Sequence, residues 1–391
     1  MTLKFKPEEE AFRDKLRHAF QNDYPKAIRD KVAAGEELTR DETIASHKAL
    51  AKIGYIAPGW PVEWGGVDLT PVERFILQDE MLENNIGPVA GSGISLLGPV
   101  LAEYGTKEQK ERFLPATLNA DIWWAQGFSE PGAGSDLAGL QTRAVLDGDH
   151  YVVNGQKIWT TMGHYGDWIF TLVRTNPDAP KKQMGISFLL IDMKTPGVTV
   201  RKIRLMDDAW EVNEVFFDNV IVPVEMRIGE ENMGWTYAKF LLGNERGGSA
   251  NAKPHWRELE HAKREAAKVK IGSGTLLEDP VFRARVAEIE THIVALEQTI
   301  LRVVGSSTNG RPNPVGSILK LRGSEINQML TLLLVDVAGP NARAFDNAGL
   351  SGVERWQSRS VHTYLNHRKV TIYAGSSEVQ RGIIASNILG A

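Results

Sequence analysis

Apolar positions along the chain change their spacing twice. Phe12, Leu16 and Phe20 recur at intervals of four, which stacks side chains on one helix face. Thr39-Arg-Asp-Glu42, Thr70-Pro-Val-Glu73 and Thr106-Lys-Glu-Gln109 each set a hydroxyl three residues ahead of a carboxylate or carboxamide. Such a pair satisfies N–H groups that a helix start leaves open, and Pro71 falls where a missing N–H costs nothing. Residues 1–120 therefore predict a helical domain. From 121 to 226 the runs shorten and become β-branched or aromatic: Thr142–Leu146, His150–Val153, Gln156–Thr161, Trp168–Thr175, Ile186–Met193, Val198–Ile203 and Val212–Val222. Asp147-Gly148 and Asn154-Gly155 read as hairpin turns, because glycine supplies the positive φ they need. No helical stretch interrupts these runs, which predicts an antiparallel β domain and argues against Rossmann or TIM architecture. Over 227–391 the helical period returns. Asp279-Pro280 supplies an N-cap and first residue, and Val286, Ile289, Ile293, Leu296 and Ile300 form a heptad-like seam. Gly272-Ser-Gly274 and residues 306–314 read as loops, and Gly339-Pro340 ends a helix. The predicted class is α+β: an N-terminal helical domain, a middle antiparallel β domain and a C-terminal helical bundle.

Composition narrows the chemistry. Among 391 residues, 45 Lys plus Arg against 49 Asp plus Glu give a net charge of −4 with the signs interspersed, which offers no electrostatic footprint for nucleic acid. The absence of cysteine excludes disulfides, thiolate nucleophiles and iron–sulfur clusters. The nine histidines are scattered and unpaired, so no metal site is expected. The opening MTLKFKPEEEAFRDKL has no apolar run of signal-peptide type, and the most apolar stretch, Met329 to Val337, is short and holds Thr331 and Asp336. A cytoplasmic protein without a membrane span is the expectation. Phosphate-loop, zincin and nucleophile-elbow motifs are missing. Gly132-x-Gly134-x-x-Leu137 imitates a dinucleotide fingerprint but ends in leucine and opens no βαβ unit. Its segment, GFSEPGAGSD, flanks a tight turn with the hydroxyls of Ser129 and Ser135, an arrangement that could meet a diphosphate or a heteroaromatic edge.

Three stretches, QGFSEPGAGSD at 126–136, NGQKIWTT at 154–161 and IYAGSSEVQRGIIA at 372–385, closely resemble the hallmark segments of the acyl-CoA dehydrogenase family. YGTKEQKERFLP at 104–115, EVFFDNVIVP at 214–223 and IGEENMGW at 228–235 resemble it too, so the likeness runs through nearly the whole chain. The resemblance implies FAD and the α,β-dehydrogenation of an acyl-CoA thioester. In that family a carboxylate removes the α-proton, the β-hydrogen leaves as hydride to flavin N5, and a trans-2-enoyl-CoA forms. By position, Phe128 and Ser129 would lie along the flavin ring and Ser135 would bind the diphosphate. Trp159 and Thr161 would cover the isoalloxazine near N5. Gln126, Gly134, Ser376 and Glu378 complete the implied cofactor set, and Ser135, Arg246 and Tyr373 the implied substrate contacts. Trp159 and Thr161 are two apart on one strand, so they can address one ligand together.

The sequence departs from the commonest family pattern at the base. Where many members carry glutamate after the tyrosine of the last motif, this chain has Ala374, which cannot accept a proton. A second family pattern, similar to isovaleryl-CoA dehydrogenase, sets the glutamate in a Glu-Arg pair on the helix after the sheet domain. Glu245-Arg246 supplies it, which makes Glu245 the expected base. The backbone N–H of Ala374 survives the substitution and could donate to the thioester carbonyl as an oxyanion hole does. The family's second-subunit FAD contacts, Arg-x-x-Phe and Gln-x-x-Gly-Gly, are absent from 268–286 and 335–349. This resembles subunits of heteromeric α2β2 enzymes, so the expected assembly is a tetramer, in particular one shared with a paralogous subunit. An electron-transfer flavoprotein is the implied electron acceptor. A non-catalytic subunit that completes a partner's FAD site, and an acyl-CoA oxidase of the same fold, are the alternative readings.

Overall fold

The computed structural model describes residues 5–248, 251–305, 315–345 and 352–390, without the side chains of 244–248 and 304–305. The chain divides into two compact units, one of residues 1–204 and 210–245, the other of 205–209 and 246–391.

The first unit joins helices to a sheet. Its helices are α1 (Pro7–Asn22), α2 (Lys26–Ala33), α3 (Arg40–Ile53), α4 (Pro71–Glu83), α5 (Gly98–Tyr104) and α6 (Lys107–Leu118). All three expected capping boxes form, with Thr39, Thr70 and Thr106 each accepting the N–H of the residue three ahead. Leu16 and Phe20 are buried, and Phe12 meets Tyr55 edge-on at the rim. The strands are β1 (Trp124–Gly127), β2 (Arg143–Asp147), β3 (His150–Thr161), β4 (Trp168–Arg174), β5 (Ile186–Asp192), β6 (Val198–Ile203) and β7 (Val212–Pro223). They form one sheet in the order β1-β4-β2-β3-β7-β6, with β5 added beside β4. One core runs from the helices into the sheet. On α6, Phe113 packs edge-on against Trp124 of β1 and Trp168 of β4, and Gln109 donates to the carbonyls of Glu225 and Arg227.

Two expectations for the sheet need correction. β1 runs parallel to β4, so the sheet is mixed rather than purely antiparallel. Its four residues are too few and too interrupted by Gln126 to register as a strand in the pattern. Asn154-Gly155 is not a hairpin: β3 continues through it, and the register against β7 shifts between Val153 and Gly155. The extra residue of this shift is on β7, where Asp218 and Asn219 oppose Asn154, and Gly155 beside it has φ +151 and a backbone so close to Thr142 that a Cβ would lie 2.6 Å from its Cα. Asp147-Gly148 does close the β2–β3 hairpin.

The helix α7 (Gly234–Gly248) follows the sheet. The second unit contains α8 (Lys253–Ala266), the short hairpin β8 (Lys270–Ile271) and β9 (Gly274–Thr275), α9 (Pro280–Gly305), α10 (Gly316–Ala338), α11 (Arg355–Asn366) and α12 (Ser377–Ile384). Asp279 caps α9 by accepting the N–H of Phe282, and the whole seam from Val286 to Ile300 is buried. The expected loop at Gly272 is the turn of β8–β9, and α10 stops at Gly339 with φ +57. The expected loop at 306–314 lies outside the described residues.

Gly155→Ala forces a Cβ into Thr142, so we expect a loss of at least about 2 kcal/mol in urea unfolding. Gly35→Ala, with left-handed backbone but open space around it, should cost only about 1 kcal/mol in the same measurement.

Candidate active site

In the first unit β1 leads directly into the segment 128–136. Thr171 of β4 donates its hydroxyl to the Gly127 carbonyl at 2.7 Å, which fixes where the strand ends. The Phe128 ring then turns inward and stands edge-on to Phe170 and Phe188. Its side chain belongs to the core, so only its backbone remains for a ligand. Glu130 and Ala133 exchange both backbone hydrogen bonds, closing a two-residue turn over Pro131 and Gly132. Gly134 has open space where a Cβ would stand, and Ser135 is exposed.

Beneath this turn lies a buried ion pair. Lys157, on the inward face of β3, is completely buried, and its Nζ lies 2.7 Å from Glu130 Oε1. The same Nζ donates to the Phe128 carbonyl at 3.2 Å. Glu130 also accepts the N–H groups of Gln141 at 2.5 Å and Thr142 at 2.9 Å. Burial pushes the Lys157 ammonium down to about 8 against the pull of Glu130. Burial drives the Glu130 carboxyl upward, but the Lys157 charge and three hydrogen bonds prevail and hold it below its ordinary value. Arg174 braces the chain just beyond this segment through the carbonyls of Ala138 and Leu140.

The other wall is the end of β3. Between Lys157 and Thr160 the register against β7 shifts again, and Trp159 takes φ +62, an unusual backbone for a bulky side chain. The bulge turns its indole out of the sheet, leaving it 55% exposed. Asn213 holds the bulge by donating to the Thr160 carbonyl at 2.9 Å, while His164 Nδ1 lies 3.2 Å from the Asn213 carboxamide oxygen. Thr160 points inward, and Thr161 is exposed like Trp159. Ile158 donates its N–H to the Ser129 carbonyl at 2.9 Å, so the two walls are stitched together. Among the described residues, the hydroxyls of Ser129, Ser135 and Thr161, the Gln126 carboxamide and the Trp159 N–H have no hydrogen-bond partner.

The second unit carries the last motif. Val370 accepts the Ser324 hydroxyl at 3.1 Å and the Lys320 ammonium, which also sits 5.5 Å from the Tyr373 ring centroid. Ala374 has φ +53 and Gly375 φ +88, and the Gln380 carboxamide donates to both of their carbonyls. Ser376 caps α12 by accepting the Val379 N–H. Glu378, in its first turn, is held below the usual carboxylate range by its own N–H and the Ser376 hydroxyl. Both side chains thus have a capping role within the motif. Glu245 and Arg246 fall in the last turns of α7, and their side chains lie outside the described residues.

Residues 6–121, 125–220 and 232–389 match the N-terminal, middle and C-terminal domain models of acyl-CoA dehydrogenases, respectively. The chain belongs to the acyl-CoA dehydrogenase family. It is 35% identical over 367 residues to "Acyl-CoA dehydrogenase IpdE1" of Mycolicibacterium smegmatis, covering 90% of this chain and 88% of that protein. It resembles the solved ChsE4-ChsE5 complex from Mycobacterium tuberculosis at 30% identity and TM-score 0.83, over 100% of this chain and 99% of that one. The solved Tcur3481-Tcur3483 steroid ACAD matches at 29% identity and TM-score 0.82, again over 100% and 99% of the two chains.

Acyl-CoA dehydrogenases are FAD-dependent oxidoreductases, and the first unit fits that cofactor. It offers an aromatic face raised out of the sheet, hydroxyls without internal partners, and a glycine-rich turn with room above Gly132 and Gly134. Glu130, Lys157 and Arg174 escaped the sequence reading. Their signal was a lysine at an inward position of β3, in line with Tyr151 and Val153, where an apolar residue belongs.

Trp159→Gly removes a side chain from left-handed backbone but also gives up the buried part of a residue that is 55% exposed, roughly 100 Å² or about 2–3 kcal/mol. The strain relieved is about 1–2 kcal/mol and the added chain entropy about 0.5–1 kcal/mol. We expect the FAD-free protein to lose only about 1–2 kcal/mol in thermal or urea unfolding, less than the lost burial and entropy alone would cost.

Proposed function

We propose that this acyl-CoA dehydrogenase desaturates a CoA thioester to the trans-2-enoyl-CoA, with Glu245 taking the α-proton and the flavin receiving the β-hydrogen as hydride. The observation that carries the reading is the exposed Trp159 on its strained bulge, two residues before Thr161 and next to the Ile158 that donates to Ser129, with the hydroxyls of Ser129, Ser135 and Thr161 unpartnered among the described residues. Ser129, Gln126 and Thr161 are the proposed donors along the ring. Ser135, at the open Gly134 turn, is the proposed diphosphate contact, and Trp159 excludes water from the hydride path. Tyr373 and Arg246 are proposed to border the thioester, with the Ala374 N–H on its carbonyl. Ser376 and Glu378 would contribute through the N-terminal turn they cap. On this reading the chain divides functionally near residues 120 and 226, and it works in the cytoplasm; among the described residues no helix is long and apolar enough to cross a membrane.

We further propose an α2β2 tetramer with a paralogue, passing electrons to an electron-transfer flavoprotein. Two observations support the heteromer: the missing second-subunit FAD patterns at 268–286 and 335–349, and the two-component names of the similar solved structures, ChsE4-ChsE5 and Tcur3481-Tcur3483.

Glu245→Gln keeps the shape of the side chain while removing its proton affinity. FAD and CoA-ester binding should persist, while anaerobic bleaching of the flavin by substrate slows about 10²–10⁴-fold. Near-normal bleaching would refute the assignment.

For the assembly, native mass spectrometry after co-expression with a paralogue should show two copies of each chain and about two FAD. Each lost charge-assisted contact weakens binding by about 1.5–3 kcal/mol, so this chain alone should hold flavin weakly. A homotetramer of this chain alone with four tightly held FAD overturns the heteromer.

A further inference from the structure

Lys157 does more than fill the core. A methionine of similar length would occupy the same volume without desolvating a charge. What a methionine lacks is the ability to donate, and Lys157 donates to two groups of one segment: the Phe128 carbonyl and the Glu130 carboxylate. Its neighbour Ile158 donates to the Ser129 carbonyl between them, and Trp159 follows at once. Three successive residues of β3 thus meet or flank three successive residues of the facing segment. Glu130 carries the restraint onward to the Gln141 and Thr142 N–H groups. The charged groups that face Lys157 are Glu130 and Arg174, and Arg174 is itself tied to the Ala138 and Leu140 carbonyls just beyond that segment.

We propose that Lys157 is a positioning residue of the flavin site: through the Phe128 carbonyl and Glu130 it fixes Ser129 relative to Trp159, so that both walls stand ready before the cofactor arrives. This rests on the flavin reading above. A ring that must meet donors on one wall and an aromatic on the other tolerates little slippage between them. The pair therefore converts buried charge into a fixed distance between two surfaces.

The test pairs a variant with a measurement on the wild-type chain. Lys157→Met alone strands the Glu130 charge, so the informative variant is Lys157→Met combined with Glu130→Gln, which removes both charges while keeping volume. Flavin titration, run with the co-expressed paralogue if that is the assembly, should show FAD binding weakened by roughly tenfold or more. The visible circular dichroism of the flavin that does bind should change, a signature that loss of stability alone would not produce. Wild-type affinity and an unchanged flavin spectrum in the double variant overturn the proposal. Should the variant not fold, hydrogen exchange on the FAD-free wild-type protein decides. The amides of Gln141, Thr142 and Ile158 should already be protected, and protection that appears only after FAD is added overturns the proposal as well. A wild-type preparation that takes up no FAD refutes the reading of the site itself and the flavin role of Lys157 with it. FAD uptake by wild type and double variant alike refutes only the positioning role.

Discussion

The first unit is organised around one buried ion pair. Removing a lysine and a glutamate from water costs several kcal/mol per ion, and their mutual attraction offsets this only where every remaining donor and acceptor finds a partner. Here that condition is largely met: Glu130 receives an ammonium and two backbone N–H groups, and Lys157 gives to a carboxylate and a carbonyl. Four of these five groups belong to residues 128–142 and one to β3. The pair cannot form unless that segment lies against β3 in one register, so its contribution is to specify an arrangement rather than to add net stability. An apolar pair at these positions would tolerate sliding. The ion pair does not.

That fixed arrangement also explains how Trp159 can sit in left-handed backbone. Strain of this kind persists only where the surroundings over-determine the local geometry. Lys157 anchors the chain on one side of the bulge, and the fully buried Asn213 grips the Thr160 carbonyl on the other. Between these two fixed points the chain carries two residues against one on β7, and the extra length emerges as the exposed indole. A regular strand would point one of Ile158 and Trp159 into the core and leave the other on a flat face. The bulge instead raises the aromatic edge beside Thr161, which is the shape a planar ligand needs.

Legibility in the sequence followed the range of the forces involved. Capping boxes at Thr39, Thr70 and Thr106 are local devices that act within four residues, and all three form as read. The α9 seam is equally local in origin and equally well read. Errors came where a tertiary partner decides: Asn154-Gly155 has the chemistry of a turn, but here the close approach of Thr142, within a strand that continues, is what requires the glycine. Likewise Phe128 carries no sign of which way its ring points; Phe170 and Phe188 settle that, from strands far along the chain. The Lys157–Glu130 pair spans 27 residues and was invisible for the same reason. Resemblance identified the motifs that hold these residues, but resemblance alone does not separate side chains that face a ligand from those that brace the ones that do.

The last motif shows the same separation in the second unit. Ala374 lacks the carboxylate that many relatives carry at this position, yet its backbone keeps φ +53, a conformation that disfavours any residue with a Cβ by about 1–2 kcal/mol. Gln380 enforces it by bonding to the Ala374 and Gly375 carbonyls, and its amide nitrogen would lie only 2.2 Å from a Cβ on Gly375. Lys320 and Ser324 fasten the start of the turn at Val370. If the turn existed only to present a side chain, loss of that side chain would leave nothing to maintain the strain. Restraint at two points, by Gln380 on the Ala374 and Gly375 carbonyls and by Lys320 and Ser324 on Val370, instead holds the backbone in one shape whatever side chain position 374 carries.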